Sequence, residues 1–279
     1  MKILSRLFRL WQLYTYMDFM LMTRSLKLFV TYLLTDTIFN VTAVTATLLL
    51  AERFDGIGVW SKFQVVFLVG YSTLVLGLLD MFFGYNILFL SRRLGRGQLD
   101  HILIQPQPIW VVFFTEGFNP FTASGSVLVG SSLMLWAGAE LNLSISFVWV
   151  VTAFLNVLAS MSVVLFFSFA WSSLAFWAPR AAEEITTPLV RMFRHLNAFP
   201  FDGLNLLLLS GVTLVVPIAF VAWYPSRYLL GLEASITGAV LTPLVALGIS
   251  ICALLVFKKG LEHYGRTGSQ RYDSLGHRS

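Results

Sequence analysis

Residues 63–90 read FQVVFLVGYSTLVLGLLDMFFGYNILFL, twenty-eight positions with one charge, Asp80. A helix needs about 20 mainly apolar residues to cross the hydrocarbon core of a bilayer. This run is long enough to cross with tilt or to project beyond the membrane. It has five companions, at 28–50, 119–138, 144–177, 201–223 and 236–257. Across its 279 residues the chain is 57% hydrophobic and only 12% charged, with a mean hydropathy of +0.77. Soluble domains carry about 25% charged residues. The expected fold class is therefore all-α: a polytopic membrane protein with about six transmembrane helices in one domain, 28–257. Pro217 and Pro243 fall inside the fifth and sixth runs. Proline is tolerated there when neighbours satisfy the freed backbone group.

The flanks are of a different kind. In residues 1–27, helical spacing gathers Leu4, Leu7, Phe8, Leu10, Trp11, Tyr14 and Met17 on one face and Lys2, Ser5, Arg6, Arg9 and Gln12 on the other. This pattern predicts a basic amphipathic helix along the membrane surface, with lipid as its partner. The stretch KILSRLFRLWQLY has no continuous apolar core, so no cleaved signal is expected. Residues 258–279 form a polar, glycine-containing tail. Lysines and arginines accumulate on the cytoplasmic side of membrane proteins. Sixteen of the 19 basic residues fall on the side of both termini, and Arg53, Lys62 and Arg227 fall opposite. Both ends are thus expected in the cytoplasm, with the protein in the plasma (inner) membrane. The basic balance reflects orientation, and no nucleic acid is expected as a partner.

Enzyme motifs are absent. There is no G-x-x-x-x-G-K-[ST], no H-E-x-x-H and no G-x-S-x-G, so ATP hydrolysis, a catalytic site and a metal or cofactor site in this chain are not expected. The lone cysteine, Cys252, lies in an apolar run and reads as a small buried core residue. Asp36 and Asp80 lie within apolar runs, where an ionised carboxylate needs a cavity, a partner or the interface. Asn40 follows Asp36 by one helical turn. These three residues are candidates either for a substrate pathway or for helix packing. Thr122, Ser126 and Gly130 form a small-xxx-small ridge that permits close helix approach, within the chain or between subunits.

The segment SRRLGRGQLDHILIQPQP, 91–108, carries most of the functional information. Gly95 and Gly97 interrupt the helix after the second run, and Pro106 and Pro108 close the stretch beyond them. From Gly97 to Pro106 a short amphipathic helix is expected. Leu99, Ile102 and Leu103 would fill a groove on a soluble partner, Asp100 and His101 would lie at the rim, and Arg96 would pair with a partner's acid.

The pattern G-R-G-x-L-D-x-x-L-x-x-P, Gly95 through Pro106, resembles the loop after the second span in a branch of ABC-2 type transporter permeases. Those are small six-span subunits, some of them described as viologen exporters. FPFDGLNLLLLSGVTLVVPIAFVAWYPSRYLLG, 199–231, is similar to the fifth span and following segment of that branch, and the likeness extends over essentially the whole chain. The resemblance implies one half of an export pathway. A second permease, identical or homologous, and two separate ABC ATPase subunits holding ATP and Mg2+ would complete it. It makes the 91–108 loop the coupling helix and gives a second cytoplasmic contact to 182–197, with Glu183, Glu184, Arg191 and Arg194. An ion-coupled secondary transporter is the alternative. That class favours inverted repeats and central ionisable groups; here no repeat occurs, and the two acids are the sole candidates.

Overall fold

The computed structural model describes residues 2–25, 56–84, 90–233 and 235–268, with isolated positions between 27 and 53. The expected first span, with Asp36 and Asn40, lies largely outside the described residues, as does the tail beyond Gly268. The described elements are helical: α1 (Lys2–Thr23), α2 (Lys62–Phe83), α3 (Leu90–Gly95), α4 (Gln98–Leu103), α5 (Ile109–Thr115), α6 (Ser124–Glu140), α7 (Phe147–Ser173), α8 (Pro179–Leu196), α9 (Leu206–Ser210), α10 (Trp223–Leu229) and α11 (Ile236–Thr267). A 3-10 turn, Leu174–Phe176, extends α7, and α11 runs ten residues past the expected end of its span.

Helices α2 and α6 pack antiparallel at backbone distance. A Cβ on Gly130 would lie 2.4 Å from the Leu74 nitrogen, and one on Gly70 or Gly77 would lie 2.8 Å from the nitrogen of Met134 or Val127. Small residues allow this approach, which dispersion then stabilises. Ser126 and Gly130 therefore spend the small-residue ridge inside the chain rather than at a subunit interface. Thr122 does not join it: its hydroxyl donates to Asp18 of α1 at 2.5 Å.

Helices α2, α7 and α11 run in one direction. Tyr71 of α2 meets Ser160 of α7 at 3.1 Å. Asn156 of α7 donates to the Ala239 carbonyl at 3.2 Å, and Phe169 packs on Phe257 with centroids 4.9 Å apart. The bundle thus has two ends, one at Trp60, just before α2, and the other at α3 and α4.

Helix α8 runs back the other way. Glu183 accepts from Arg92 of α3 at 2.9 Å, and eleven residues later Arg194 grips Asp80 of α2 with two bonds, 2.6 and 3.0 Å. Phe193 meets Phe167 of α7 at 5.7 Å. As α8 advances, its partners recede along α2–α3 and α7. The chain then reaches Asp202, which accepts from the indoles of Trp60 (2.5 Å) and Trp223 (2.7 Å) and from Arg227. Segment 179–202 has returned to the Trp60 end.

This geometry corrects the expected fifth span. Residues 201–223 are not a straight crossing. Helix α9 and a π-turn (Gly211–Val215) form one arm, and a 3-10 turn (Ile218–Phe220) with α10 forms the other. The arms, Leu206–Val215 and Ile218–Leu229, bend by 73° at Pro217. The bend sits beside the middle of α7, where the Phe220 carbonyl accepts from Ser160. The second arm finishes where α7 begins, with the Leu229 carbonyl accepting from Trp149 at 2.9 Å. Asp202, just before this bent hairpin, and Leu229, at its end, both lie at the Trp60 end.

Three described helices are long and apolar enough to cross a membrane: α2, α7 with its 3-10 turn, and α11. The bent pair makes a fourth only if it is one span. Helix α6, with 17 residues, is about 26 Å long against the ~30 Å of a hydrocarbon core.

Candidate coupling site

The 91–108 segment folds as two short helices with Gly97 between them. Gly97 has φ +68°, a left-handed conformation that costs glycine little and other residues more. Helix α4 ends at Leu103, two residues before Gln105 and the proline-containing stretch. Its apolar residues divide into two faces. Leu99 and Ile102 are buried in the chain's own core, whereas Leu103 is 44% and Ile104 80% exposed. Arg96, Gln98, His101 and Pro106 are exposed beside them. Leu99 and Ile102 thus do not face a partner as the sequence pattern predicts. The bundle takes them, and the outward apolar pair is Leu103 with Ile104.

Asp100 is a second correction. It does not sit at a rim awaiting a partner but accepts from the Tyr264 hydroxyl of α11. Two more polar links leave the same segment: Arg92 to Glu183 of α8, and Arg93 to Glu116 beyond α5 at 2.8 Å. Helix α1 comes close to the last of these. The Tyr14 hydroxyl is pushed above its ordinary value first by burial and then by the nearby Glu116 carboxylate. Trp11 donates to the Phe114 carbonyl at 3.0 Å. The inward face of α1 includes Leu7, Leu10, Trp11, Tyr14, Asp18 and Met22, while Phe8 and Met17 point outward. The segment after α2 is therefore bonded to α8, to the α5–α6 connection and to α11.

The residues expected as a second contact are spread along α8. Glu183 is held by Arg92. Glu184 makes an exposed pair with Arg180 at 3.4 Å, and Arg191 is exposed. Arg194 faces the bundle and neutralises Asp80. Asp80 thereby ties α8 to α2 by an ion pair. No group of acids, histidines or cysteines among the described residues is arranged to hold a metal.

Sequence reasoning missed Ile104, Glu116 and Tyr264. Ile104 was legible as an apolar residue just before the proline-rich stretch. The other two are paired with residues far away along the chain.

A family model described as ABC-2 family transporter protein matches residues 37–268. No curated protein and no solved structure matches the chain. The family's membrane components generally work with ABC ATPase subunits. A match over most of the chain, on a helical bundle with apolar spans, places it in the membrane, and the chain belongs to the ABC-2 family of transporter permeases.

Proposed function

We propose that this chain is one half of the membrane pathway of an ATP-driven exporter. A second permease, identical or homologous, completes the pathway, and two separate subunits bind ATP with Mg2+ and hydrolyse it. The observation that carries the proposal is the two-sided α4. One face is anchored in the bundle through Leu99 and Ile102, and the other offers Leu103 and Ile104 to solvent. A short, firmly seated helix with an outward apolar pair suits docking into a groove of a soluble partner. Arg96 and His101 flank the pair and supply polar contacts that set orientation. Glu184, paired with Arg180 at the cytoplasmic start of α8, is a second place of contact, whereas Arg191 lies too far along the proposed fifth crossing to be one. The two motifs at 95–106 and 199–231 support the viologen-exporter branch.

The proposed topology has six crossings: 28–50, α2, α6, α7, 179–202 and α11. The 206–229 hairpin re-enters from outside, and α1 lies at the inner interface. Both termini and α4 are cytoplasmic. Without the three arginines of α8, thirteen basic residues still face three, so the charge bias keeps the same direction with 179–202 as the fifth span. In a Cys252→Ala background, a cysteine at Gly203 should react with an impermeant thiol reagent in intact cells, and one at Gln98 should not. Labelling at Gln98 from outside overturns the orientation.

The functional test is co-purification with a genomically adjacent ABC ATPase. Removing a buried anchor from an interface costs about 2 kcal/mol or more, roughly a thirtyfold loss of affinity. The wild-type chain should retain the ATPase, and Ile104→Glu should release it while the permease remains membrane-inserted. ATP hydrolysis by the isolated chain, or full retention by Ile104→Glu, sinks the proposal.

A further inference from the structure

The C-terminal part of α11 is longer than a membrane requires. Its 32 residues extend about 48 Å, against ~30 Å of hydrocarbon. The excess emerges at the α4 end and is fixed there. Gly260 accommodates the Phe176 ring so closely that a Cβ would lie 2.2 Å from its Cδ2. His263 stacks on Trp177 at 5.6 Å. The Tyr264 ring meets Phe176 edge-on at 5.8 Å, and its hydroxyl donates to the Asp100 carboxylate.

The Phe176 and Trp177 contacts join α11 to the end of α7. The Tyr264–Asp100 bond joins α11 to α4. Tyr264 is 7% exposed and belongs to the same core cluster as Leu99 and Ile102. A carboxylate acceptor makes the bond stronger than one between neutral groups. At its far end α11 packs against the hairpin, where a Cβ on Gly238 would lie 3.0 Å from the Tyr228 ring. One continuous helix thus connects α4 to the hairpin at the Trp60 end.

We infer that Tyr264 is a positioning residue that makes α4 and α11 respond together, so that a push on α4 by the ATP-binding subunits reaches the hairpin through α11. The inference rests on the proposed coupling role of α4. Tyr264→Phe isolates the link, because the ring remains on Phe176 and only the hydroxyl is lost.

The experiment uses the permease–ATPase complex in nanodiscs, with amide hydrogen exchange measured in the resting state and after trapping with ATP and vanadate. In the wild type, peptides covering 97–105 and 258–267 should change protection together on trapping. In Tyr264→Phe the 97–105 peptide should still change, with the ATPase still bound, while the 258–267 peptide stays at its resting value. Resting protection should match the wild type, which separates a lost link from a loosened fold. Asp100→Asn keeps an acceptor and should retain part of the shared response, whereas Asp100→Ala should lose it. A Tyr264→Phe complex whose two peptides still change together overturns the inference alone. A wild-type chain that binds no ATPase overturns the proposed function, and the inference falls with it.

Discussion

Helices α6 and α8 are both tied to α2, and by opposite means: α6 packs along it, whereas α8 packs on α7 and α3 and reaches α2 through its ion pair at Asp80. Helix α6 has a single charge, Glu140 at its last residue, and meets α2 through glycines at backbone distance. Helix α8 carries Arg180, Glu183, Glu184, Arg191 and Arg194 in 18 residues. Ion pairs at Asp80 and Arg92 join it to α2 and α3, and Ala182, Val190 and Phe193 are buried, with Phe193 against Phe167 of α7. Lipid supplies little drive for helix association, so close packing and satisfied polar groups must provide it. The first contact leaves no room for side chains. The second depends on charges cancelling in pairs.

The largest expected effect breaks the first contact. The atom nearest a new Cβ at Gly130 is a backbone nitrogen of α2, which has no rotamer through which to move. Gly130→Val should therefore give no monodisperse protein on size-exclusion chromatography in detergent. Gly138→Ala on the same helix is the control, because its nearest neighbour is the Leu143 side chain at 3.7 Å. A folded Gly130→Val protein would show that α2 and α6 separate freely.

The ion-paired contact should yield less. Truncating one partner of a buried pair costs about 3–5 kcal/mol. Arg194 and Asp80 are each about a quarter exposed, so solvent screens part of that, and roughly 1–3 kcal/mol is the expected loss for Arg194→Met. Much of that loss is the unpaired Asp80 carboxylate. Asp80→Asn combined with Arg194→Gln should therefore be more thermostable than Arg194→Met alone. If the double variant is the weaker of the two, the attraction itself holds α8, and the carboxylate's isolation is secondary.

The same contrast explains which elements are legible in the sequence. The apolar runs at 63–90, 144–177 and 236–257 each contain a long described helix, because apolarity over 20 residues directly reflects a lipid solvent. Helix α8 reads as a loop region because its charges are neutralised by residues 91 and 114 positions away, which no local window contains. Conversely, 201–223 averages as a straight span although its two arms bend by 73° at Pro217 and the turns around it. In the candidate site, Gly97 and the prolines mark the limits of α4. Its orientation is not legible, because six residues make fewer than two turns and both flanks are apolar: Leu99 and Ile102 on one, Leu103 and Ile104 on the other. The partner of Asp100 is 164 residues distant.

The smallest expected effect concerns how α6 begins. Asp18 of α1 accepts from the backbone N–H groups of Phe121 (2.8 Å) and Thr122 (3.2 Å) and from the Thr122 hydroxyl. These groups lie just before the first turn of α6, so a side chain from another helix satisfies donors that an N-cap residue often satisfies locally. The same contact ties α1 to the bundle, together with the Phe19 ring tilted against Phe121 at 5.5 Å. Asp18→Ala removes an acceptor worth about 1 kcal/mol in capping positions, while Trp11, Tyr14 and Met22 keep packing. The bundle should therefore keep nearly its wild-type thermal midpoint, and α1 alone should loosen. Arg24, exposed just after α1, provides the readout as faster tryptic cleavage in detergent. Asp18→Asn, which retains one acceptor oxygen, should fall between the two. Cleavage at the wild-type rate in Asp18→Ala would mean that apolar packing alone docks α1, leaving the glycine contact with α2 as the main determinant of where α6 lies.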